Sequence, residues 1–286
     1  MSGVPERVGV YGGGRMGAGI AHVFLLAGAR VTVVESDVQQ VHGARARVHR
    51  SLAKAAERGV PGVEEALGRL LVTTDPAALA GSGLVVEAVP ERLELKTQVL
   101  LTAEKHAPGA VLATNTSSLP VGVLAAALAR PERLVGLHFF NPVPVSALVE
   151  IVVADSTGAG LAARAREWVA ALGRTAITVT DSPGFASSRL GVALALEAIR
   201  MLEQGVGTAE DIDTAMTLGY RHPAGPLRTT DIVGLDVRLA IAEHLAHELG
   251  PRFEPPLLLR DLVTQGHLGR KSGRGFYAWP ITRPAG

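Results

Sequence analysis

Three glycines near the start of the chain have the spacing of a phosphate-binding turn. Gly12, Gly14 and Gly17 lie in VGVYGGGRMGAGIA, between a valine-rich run and a segment of helical character. The first would permit a tight turn, the second the approach of a pyrophosphate, and the third close packing of helix on strand. Phosphates would face the start of the helix. Arg15 and Met16, inside the same turn, are expected to contact the dinucleotide.

An acidic residue follows this turn at the distance expected of a ribose ligand. Glu35 ends the next valine-rich run, RVTVVE, about 20 residues after the first glycine. Its carboxylate would bind a free 2′-hydroxyl and repel a 2′-phosphate, and the following SDVQQ contains no arginine or lysine. NAD is therefore expected rather than NADP. The alternatives are a similar sheet that binds no dinucleotide and a Glu35 that is only a solvated strand end.

A second group of reactive residues lies in the stretch GLHFFNPVP. Aromatic residues make up 4% of the chain, yet two of them stand between His138 and Asn141. Packing explains Phe139 and Phe140, which would also exclude water from a site, but it does not explain the histidine or the asparagine. On residue type alone, a histidine satisfied in the core and a solvated Glu150 remain an alternative to a reactive pair.

The composition excludes several function classes. The chain has 286 residues, of which 47% are hydrophobic and 19% charged, as in a globular protein of about two domains. Its net charge of +1 provides no field for nucleic acid or a membrane surface. It contains no cysteine, so disulfides and thiolate chemistry are excluded. We expect no metal site. No apolar run has the ~18 residues of a membrane span, and we expect a cytoplasmic protein.

The elements that must position these residues alternate along the first part of the chain. Short Val- and Ile-rich runs alternate with Ala- and Leu-rich segments up to about residue 181. This predicts an α/β fold with a Rossmann-type, doubly wound, mostly parallel sheet. The expected strands are RVGVYG, ARVTVVES, SGLVVEAV, GAVLATNT, RLVGLHF, LVEIVVAD and TAITVTD.

The texture of the sequence changes at the stretch TDSPGF. Pro183 would stop the preceding strand, and Gly184 would let the chain turn. The segments that follow are rich in alanine and leucine and carry helical start and stop signals. We therefore predict two domains, a dinucleotide-binding domain at 1–182 and an all-helical domain at 183–286.

Ordered motifs over nearly the whole length resemble one family, the L-3-hydroxyacyl-CoA dehydrogenases, and most of all their short, single-function 3-hydroxybutyryl-CoA members. The resemblance implies an NAD domain, a CoA thioester substrate, a helical domain that forms most of a homodimer interface, and a place in fatty-acid metabolism such as β-oxidation. An internal core would explain the apolar helices equally well. The motifs are GGGRMGAGIA, VVEAVPERLELK, NTSSL, GLHFFNPVP, LVEIV, DSPGF, EDIDTAM, HPAGPL, VGLD and GRKSGRGFY.

The resemblance assigns roles around the reacting atoms. His138 matches the family's general base, and imidazole, with an ordinary pKa of about 6.5, suits the removal of a hydroxyl proton. Glu150 matches its orienting partner, which the intervening prolines would turn towards it. Ser117, in NTSS, matches the contact to the substrate 3-oxygen near the nicotinamide, although this composition also favours a plain turn. Asn141 matches a contact to NAD.

Three further charged residues match the family's cofactor contacts. Glu91 and Lys96, in PERLELK, correspond to positions at the ribose, and Lys271, in GRKSG, to a lysine near the cofactor. Lysine and glutamate are common on solvated surfaces. A solvated charge therefore remains the alternative for all three.

A basic segment matches the helical arm that the family extends over CoA, here near 38–70. Within HRSLAKAAERG, Ser51 and Arg58 are about two helical turns apart and would share one face, with Lys54 between them. The arginine would pair with the 3′-phosphate of CoA. An exposed basic helix face is the alternative.

One position departs from the family pattern. The family usually has an asparagine after PGF-x-x that helps to hold the substrate carbonyl and the catalytic histidine, and here SPGFASSRL places Ser188 there. Serine is shorter and has one donor where the amide has two donors and an acceptor, so water or Ser187 would have to complete the contact. Ala224 stands where a methionine is common, so the nearby wall is expected to be roomier. We expect these changes to affect chain-length preference and turnover more than the reaction itself.

The prediction is therefore the reversible, NAD-dependent oxidation of an L-3-hydroxyacyl-CoA to the 3-oxoacyl-CoA. Two alternatives remain. One is a dehydrogenase of the same fold that acts on a non-CoA 3-hydroxy acid, such as a sugar acid. The other is a catalytically weak cofactor-binding partner protein, which Ser188 could suggest and the presence of His138 disfavours.

Overall fold

The computed structural model describes residues 3–280, and the chain divides into two compact units between Ser182 and Pro183. The outermost residues of the expected domains, 1–2 and 281–286, lie outside the described residues. Among the described residues, no helix combines the length and the apolar character needed to cross a membrane.

The first unit contains a sheet of eight strands in the order β3-β2-β1-β4-β5-β6-β7-β8. All neighbouring strands are parallel except β6 and β7, which are antiparallel. The expected Rossmann-type, mostly parallel sheet is thus confirmed. The strands are β1 Arg7–Tyr11, β2 Arg30–Val34, β3 Leu70–Thr73, β4 Leu84–Glu87, β5 Val111–Thr114, β6 Leu134–Phe139, β7 Leu148–Val153 and β8 Thr175–Thr180.

Helices cover the sheet because its central strands are apolar on both faces. Every residue of β4, β5 and β6 is buried, as expected of strands that are covered on both sides. The helices of this unit are α1 Arg15–Leu26, α2 Val38–Glu57, α3 Val63–Gly68, α4 Leu93–His106, α5 Val121–Ala125 and α6 Leu161–Ala171, with 3₁₀ turns at Pro76–Leu79 and Pro131–Arg133.

The second unit is built from helices around its own apolar core, which confirms the expected helical C-terminal domain. Val192, Leu196, Leu235 and Leu245 are among the buried residues of that core. The helices are α7 Ser187–Glu203, α8 Ala209–Gly219, α9 Pro226–Val233, α10 Leu235–Leu249 and α11 Leu257–Thr264, with 3₁₀ turns at Pro251–Phe253 and Arg270–Ser272.

A buried aspartate fastens the last described residues to this unit. Asp231, in α9, accepts hydrogen bonds from the backbone N–H groups of Phe276 and Tyr277 and from the indole N–H of Trp279. Its carboxylate is fully buried, so these donors replace the water it has lost. The last two residues of the motif GRKSGRGFY therefore have a structural explanation.

Candidate active site

The glycine turn joins β1 to α1 at the carboxyl end of the sheet. Gly12 has a φ of +91°, which favours glycine, and a side chain at Gly17 would collide with the carbonyl oxygen of Gly12. Gly14 precedes α1 without any side-chain cap. The turn therefore fits a pyrophosphate on the backbone N–H groups of α1, as the sequence predicts.

Glu35 lies beside this turn, directly after β2. Its Oε1 accepts a hydrogen bond of 2.7 Å from the backbone N–H of Gly13. The guanidinium of Arg47, in α2, donates to the carbonyl of Gly13 at 3.1 Å. Glu35 is thus more than a solvated strand end, and Arg47 is a contact of the turn that the sequence analysis missed because it comes from another helix.

His138 and Glu150 are brought together by the antiparallel pairing of β6 and β7. They are directly opposite in the ladder, and the distance from Nδ1 of His138 to Oε2 of Glu150 is 2.7 Å. Both side chains are buried, and the ring of Phe140 lies 4.6 Å from the imidazole. A carboxylate at Nδ1 fixes the ring and favours a proton there, which makes Nε2 the acceptor nitrogen. The geometry is that of a general base with its orienting partner.

The NTSS loop follows β5 and is organised by a single carboxylate. Oε1 of Glu91 accepts hydrogen bonds from the backbone N–H groups of Ser117 and Ser118 at 2.8 and 3.0 Å, and from the hydroxyl of Thr116 at 2.6 Å. Burial alone would raise the pKa of Glu91, but the Lys96 ammonium and these donors outweigh it and lower the pKa to about 2. Glu91 is therefore an ionised support of the loop, although 34% of its side chain remains exposed. Its contact with the ribose stays a prediction.

Lys96 is also an internal residue. Its ammonium donates to both carboxylate oxygens of Glu87 at 2.8 and 3.0 Å and to the carbonyl of Val89 at 3.1 Å, and it lies 3.2 Å from Glu91. The side chains of Lys96 and Glu87 are each 1% exposed, so the solvated alternative is wrong for Lys96. Thr114, at the end of β5, donates to Glu87 as well. A contact of Lys96 with the cofactor stays a prediction.

Two expected site residues lie in the second unit. Ser188 is half-buried in the first turn of α7. Lys271 is exposed, and its ammonium lies 2.6 Å from Oδ2 of Asp236. Their contacts with substrate and cofactor stay predictions.

The expected CoA residues surround a cavity of about 1030 Å³ in the first unit. Ser51, Lys54 and Arg58 line it from α2 and its end, and Asn141 lines it from the loop after β6. No described residue that lines the cavity is an aspartate or a glutamate. Its cationic lining residues are Arg15, Arg47, Arg50, Lys54, Arg58 and Arg174.

The fold and this site define a Rossmann-type oxidoreductase with a buried histidine–glutamate pair at the carboxyl end of the sheet. Models of one family match almost the whole chain: the 3-hydroxyacyl-CoA dehydrogenase NAD-binding domain at residues 7–182 and the C-terminal domain at residues 184–279. The chain belongs to the 3-hydroxyacyl-CoA dehydrogenase family, and its cofactor is NAD.

Individual relatives resemble the chain over its length. The 3-hydroxybutyryl-CoA dehydrogenase of Mycobacterium tuberculosis is 44% identical, with 98% of this chain and 100% of the relative covered. The crystal structure of (S)-3-hydroxybutyryl-CoA dehydrogenase PaaH1 from Ralstonia eutropha superposes with a TM-score of 0.93 at 36% identity, with 96% and 99% covered. The structure of a diketoreductase described as acting on dicarbonyl compounds superposes with a TM-score of 0.85 at 30% identity, with 98% of this chain and 100% of that chain covered.

Proposed function

We propose that the protein catalyses the reversible, NAD-dependent oxidation of an L-3-hydroxyacyl-CoA, such as 3-hydroxybutyryl-CoA, to the 3-oxoacyl-CoA. The observation that carries this proposal is the buried His138–Glu150 pair, with its 2.7 Å contact, at the strand end next to the serine loop. Family membership supports the reaction class. Bound NAD supplies the hydride acceptor.

The chain's own residues handle the proton. Nε2 of His138 takes the proton of the 3-hydroxyl as hydride leaves the same carbon, and in reduction it returns that proton to the 3-oxygen. Glu150 stabilises the imidazolium that forms, because its carboxylate contacts the opposite ring nitrogen. Ser117 would hydrogen-bond the 3-oxygen, and the ring of Phe140 would help to exclude water, which strengthens these interactions.

The basic cavity would hold the CoA moiety. CoA carries three phosphates, and the cationic lining offers them arginine and lysine without a competing carboxylate. Arg58 would pair with the 3′-phosphate, while Ser51 and Lys54 would contact other parts of CoA. The experiment is NADH oxidation with acetoacetyl-CoA. A folded protein that binds NADH and does not oxidise it would overturn the proposal.

A second candidate is a dehydrogenase of non-CoA substrates. It is favoured by the similarity to the diketoreductase, a relative of the same fold that is described as acting on dicarbonyl compounds. The basic cavity favours a CoA thioester as the substrate instead. Turnover of free 3-hydroxy acids or diketones, without competition by CoA, would decide for the second candidate.

We also propose that the protein is a homodimer through its second unit. Large apolar side chains are exposed there, among them Leu190, Leu218, Tyr220 and Leu257, and burial against a second copy would remove them from water. Light scattering measures the mass in solution, and a monomer would contradict the proposal. A role in β-oxidation and a cytoplasmic location stay predictions.

Replacement of Glu35 by serine is expected to weaken the preference for NADH over NADPH. The loss of a charge-assisted hydrogen bond to the ribose corresponds to a decrease of about 10- to 100-fold in kcat/KM with NADH. The value of kcat/KM with NADPH is expected to decrease much less, because the carboxylate that repels the 2′-phosphate is removed as well. Initial rates with both cofactors measure the ratio.

The matched control for this prediction is Asp37→Ser. Asp37 is two residues further along the chain and caps α2 through the backbone N–H of Gln40. Its loss is expected to leave the NADH to NADPH ratio unchanged. Equal ratios in Glu35→Ser and the wild type would show that Glu35 does not select the cofactor.

A further inference from the structure

His22 is a buried residue that the proton transfer does not use. It lies in α1, is 3% exposed, and forms part of the wall of the basic cavity. Its Nδ1 is 2.9 Å from Oγ of Ser51, which reaches across from α2. A ring nitrogen and a hydroxyl at this distance share one proton in a hydrogen bond. His22 therefore acts directly on the hydroxyl that is expected to meet CoA.

The charge state of His22 decides whether its ring can accept a hydrogen bond at all. Burial and the nearby Arg174 guanidinium lower the pKa of His22 to about 4. At neutral pH the imidazole is therefore uncharged and has one nitrogen that accepts and one that donates. A neutral ring also avoids adding another positive charge to a cavity that Arg47, Arg50 and Lys54 already line.

The surroundings hold this part of the cavity wall in place. A side chain at Gly19, one turn before His22, would collide with Val143, so α1 and the loop after β6 are in close contact. The guanidinium of Arg174 donates to the carbonyls of Pro144 and Ser146 in that loop. The orientation of Ser51 therefore depends on its hydrogen bond to a well-packed neighbour.

We propose that His22 is a positioning residue for the acyl-CoA. Its Nδ1 accepts the hydroxyl proton of Ser51, so that the oxygen of Ser51 presents only lone pairs to the ligand. Ser51 then accepts a hydrogen bond from an N–H group of the CoA moiety, either an amide of the pantetheine arm or the adenine amino group. This inference rests on the proposed function, because it assigns the cavity to CoA.

The experiment removes the acceptor and then restores it. We expect His22→Leu to raise KM for acetoacetyl-CoA about three- to tenfold, as for one neutral hydrogen bond, with kcat and the KM for NADH unchanged. We expect His22→Asn to restore KM towards the wild type, because its amide oxygen can replace Nδ1. His49→Leu, at an exposed position on α2, is the matched control and is expected to leave KM unchanged.

A double-mutant cycle separates positioning from general packing. Ser51→Ala is expected to raise KM by a similar factor, and the double variant with His22→Leu should be no worse than either single variant. Independent, additive effects would overturn the proposal, and so would a normal KM in His22→Leu. If thermal unfolding shows that His22→Leu is not folded, the unbranched His22→Met takes its place in the same cycle.

The truncated substrate acetoacetyl-pantetheine identifies which part of CoA donates the hydrogen bond to Ser51. If the coupling between His22 and Ser51 persists with acetoacetyl-pantetheine, the donor is a pantetheine amide. If the coupling is observed with acetoacetyl-CoA but not with acetoacetyl-pantetheine, the donor is the adenine amino group. Both results support the proposal.

A wild-type protein that binds NADH but does not reduce acetoacetyl-CoA contradicts the proposed function itself. A wild-type protein with normal turnover and an unaltered His22→Leu variant contradicts only the role of His22.

Discussion

His138→Ala is expected to lower kcat for the reduction of acetoacetyl-CoA by about 10²- to 10⁴-fold, the usual contribution of a general acid or base. In the proposed mechanism, the buried imidazole, which Glu150 contacts through Nδ1, exchanges a proton with the 3-oxygen. Alanine leaves the glycine turn and Glu35 untouched, so NADH binding should be retained. NADH absorbance measures turnover, and NADH fluorescence measures binding.

The control for this experiment is His42→Ala, at an exposed position on α2. It is expected to retain the wild-type kcat, which would exclude a general effect of losing a histidine. Wild-type turnover in His138→Ala would show that another group exchanges the proton. Loss of NADH binding together with turnover would indicate instead that the variant has lost its fold.

Lys96→Met is expected to lower the free energy of unfolding by about 3 to 5 kcal/mol, because it leaves the carboxylate of Glu87 buried without a counter-charge. Lys96 and Glu87 are each 1% exposed, so water cannot replace the ammonium without rearrangement of the fold. Methionine retains most of the volume of lysine, which separates the loss of charge from the loss of packing. Urea unfolding, followed by circular dichroism, measures the change.

An exposed ion pair of the same unit supplies the control. Arg130 and Glu132 are 3.0 Å apart, with side chains 53% and 47% exposed, so Arg130→Met is expected to cost less than about 1 kcal/mol. The double variant of Lys96→Met with Glu87→Gln should recover part of the loss, since the uncompensated charge is then gone. If Lys96→Met lowered the free energy of unfolding by as little as Arg130→Met, this would contradict the presence of a buried, charged Glu87 that depends on Lys96.

Strong local patterns made most of the sheet predictable from the sequence. The predicted strands are all present, because Val-rich runs between turn residues have few other stable conformations in a buried sheet. Strand β3, Leu70–Thr73, was not predicted. It is only 4 residues long and forms the edge of the sheet, where half-exposed positions weaken the apolar signal.

The buried hydrogen bonds that support the site were less predictable from the sequence than the site residues themselves. The glycine turn and the aromatic stretch around His138 are short motifs, whereas the contacts among Glu87, Lys96 and Thr114 join separate elements. A lysine in a sequence gives no indication that its ammonium will be buried, because lysine is rarely buried unless it is paired. Its partner becomes visible only when β4 and α4 are placed side by side.

The antiparallel pairing of β6 and β7 has a consequence for how this protein tolerates changes of length. Since side chains alternate between the two faces of a sheet, a single residue inserted within either strand would turn the following side chains to the opposite face and separate His138 from Glu150. Insertions between Phe140 and Ala147 would leave that alignment intact. The pairing of His138 with Glu150 is therefore independent of the length of this loop, which its packing against α1 constrains instead, while the spacing of residues inside the two strands cannot change.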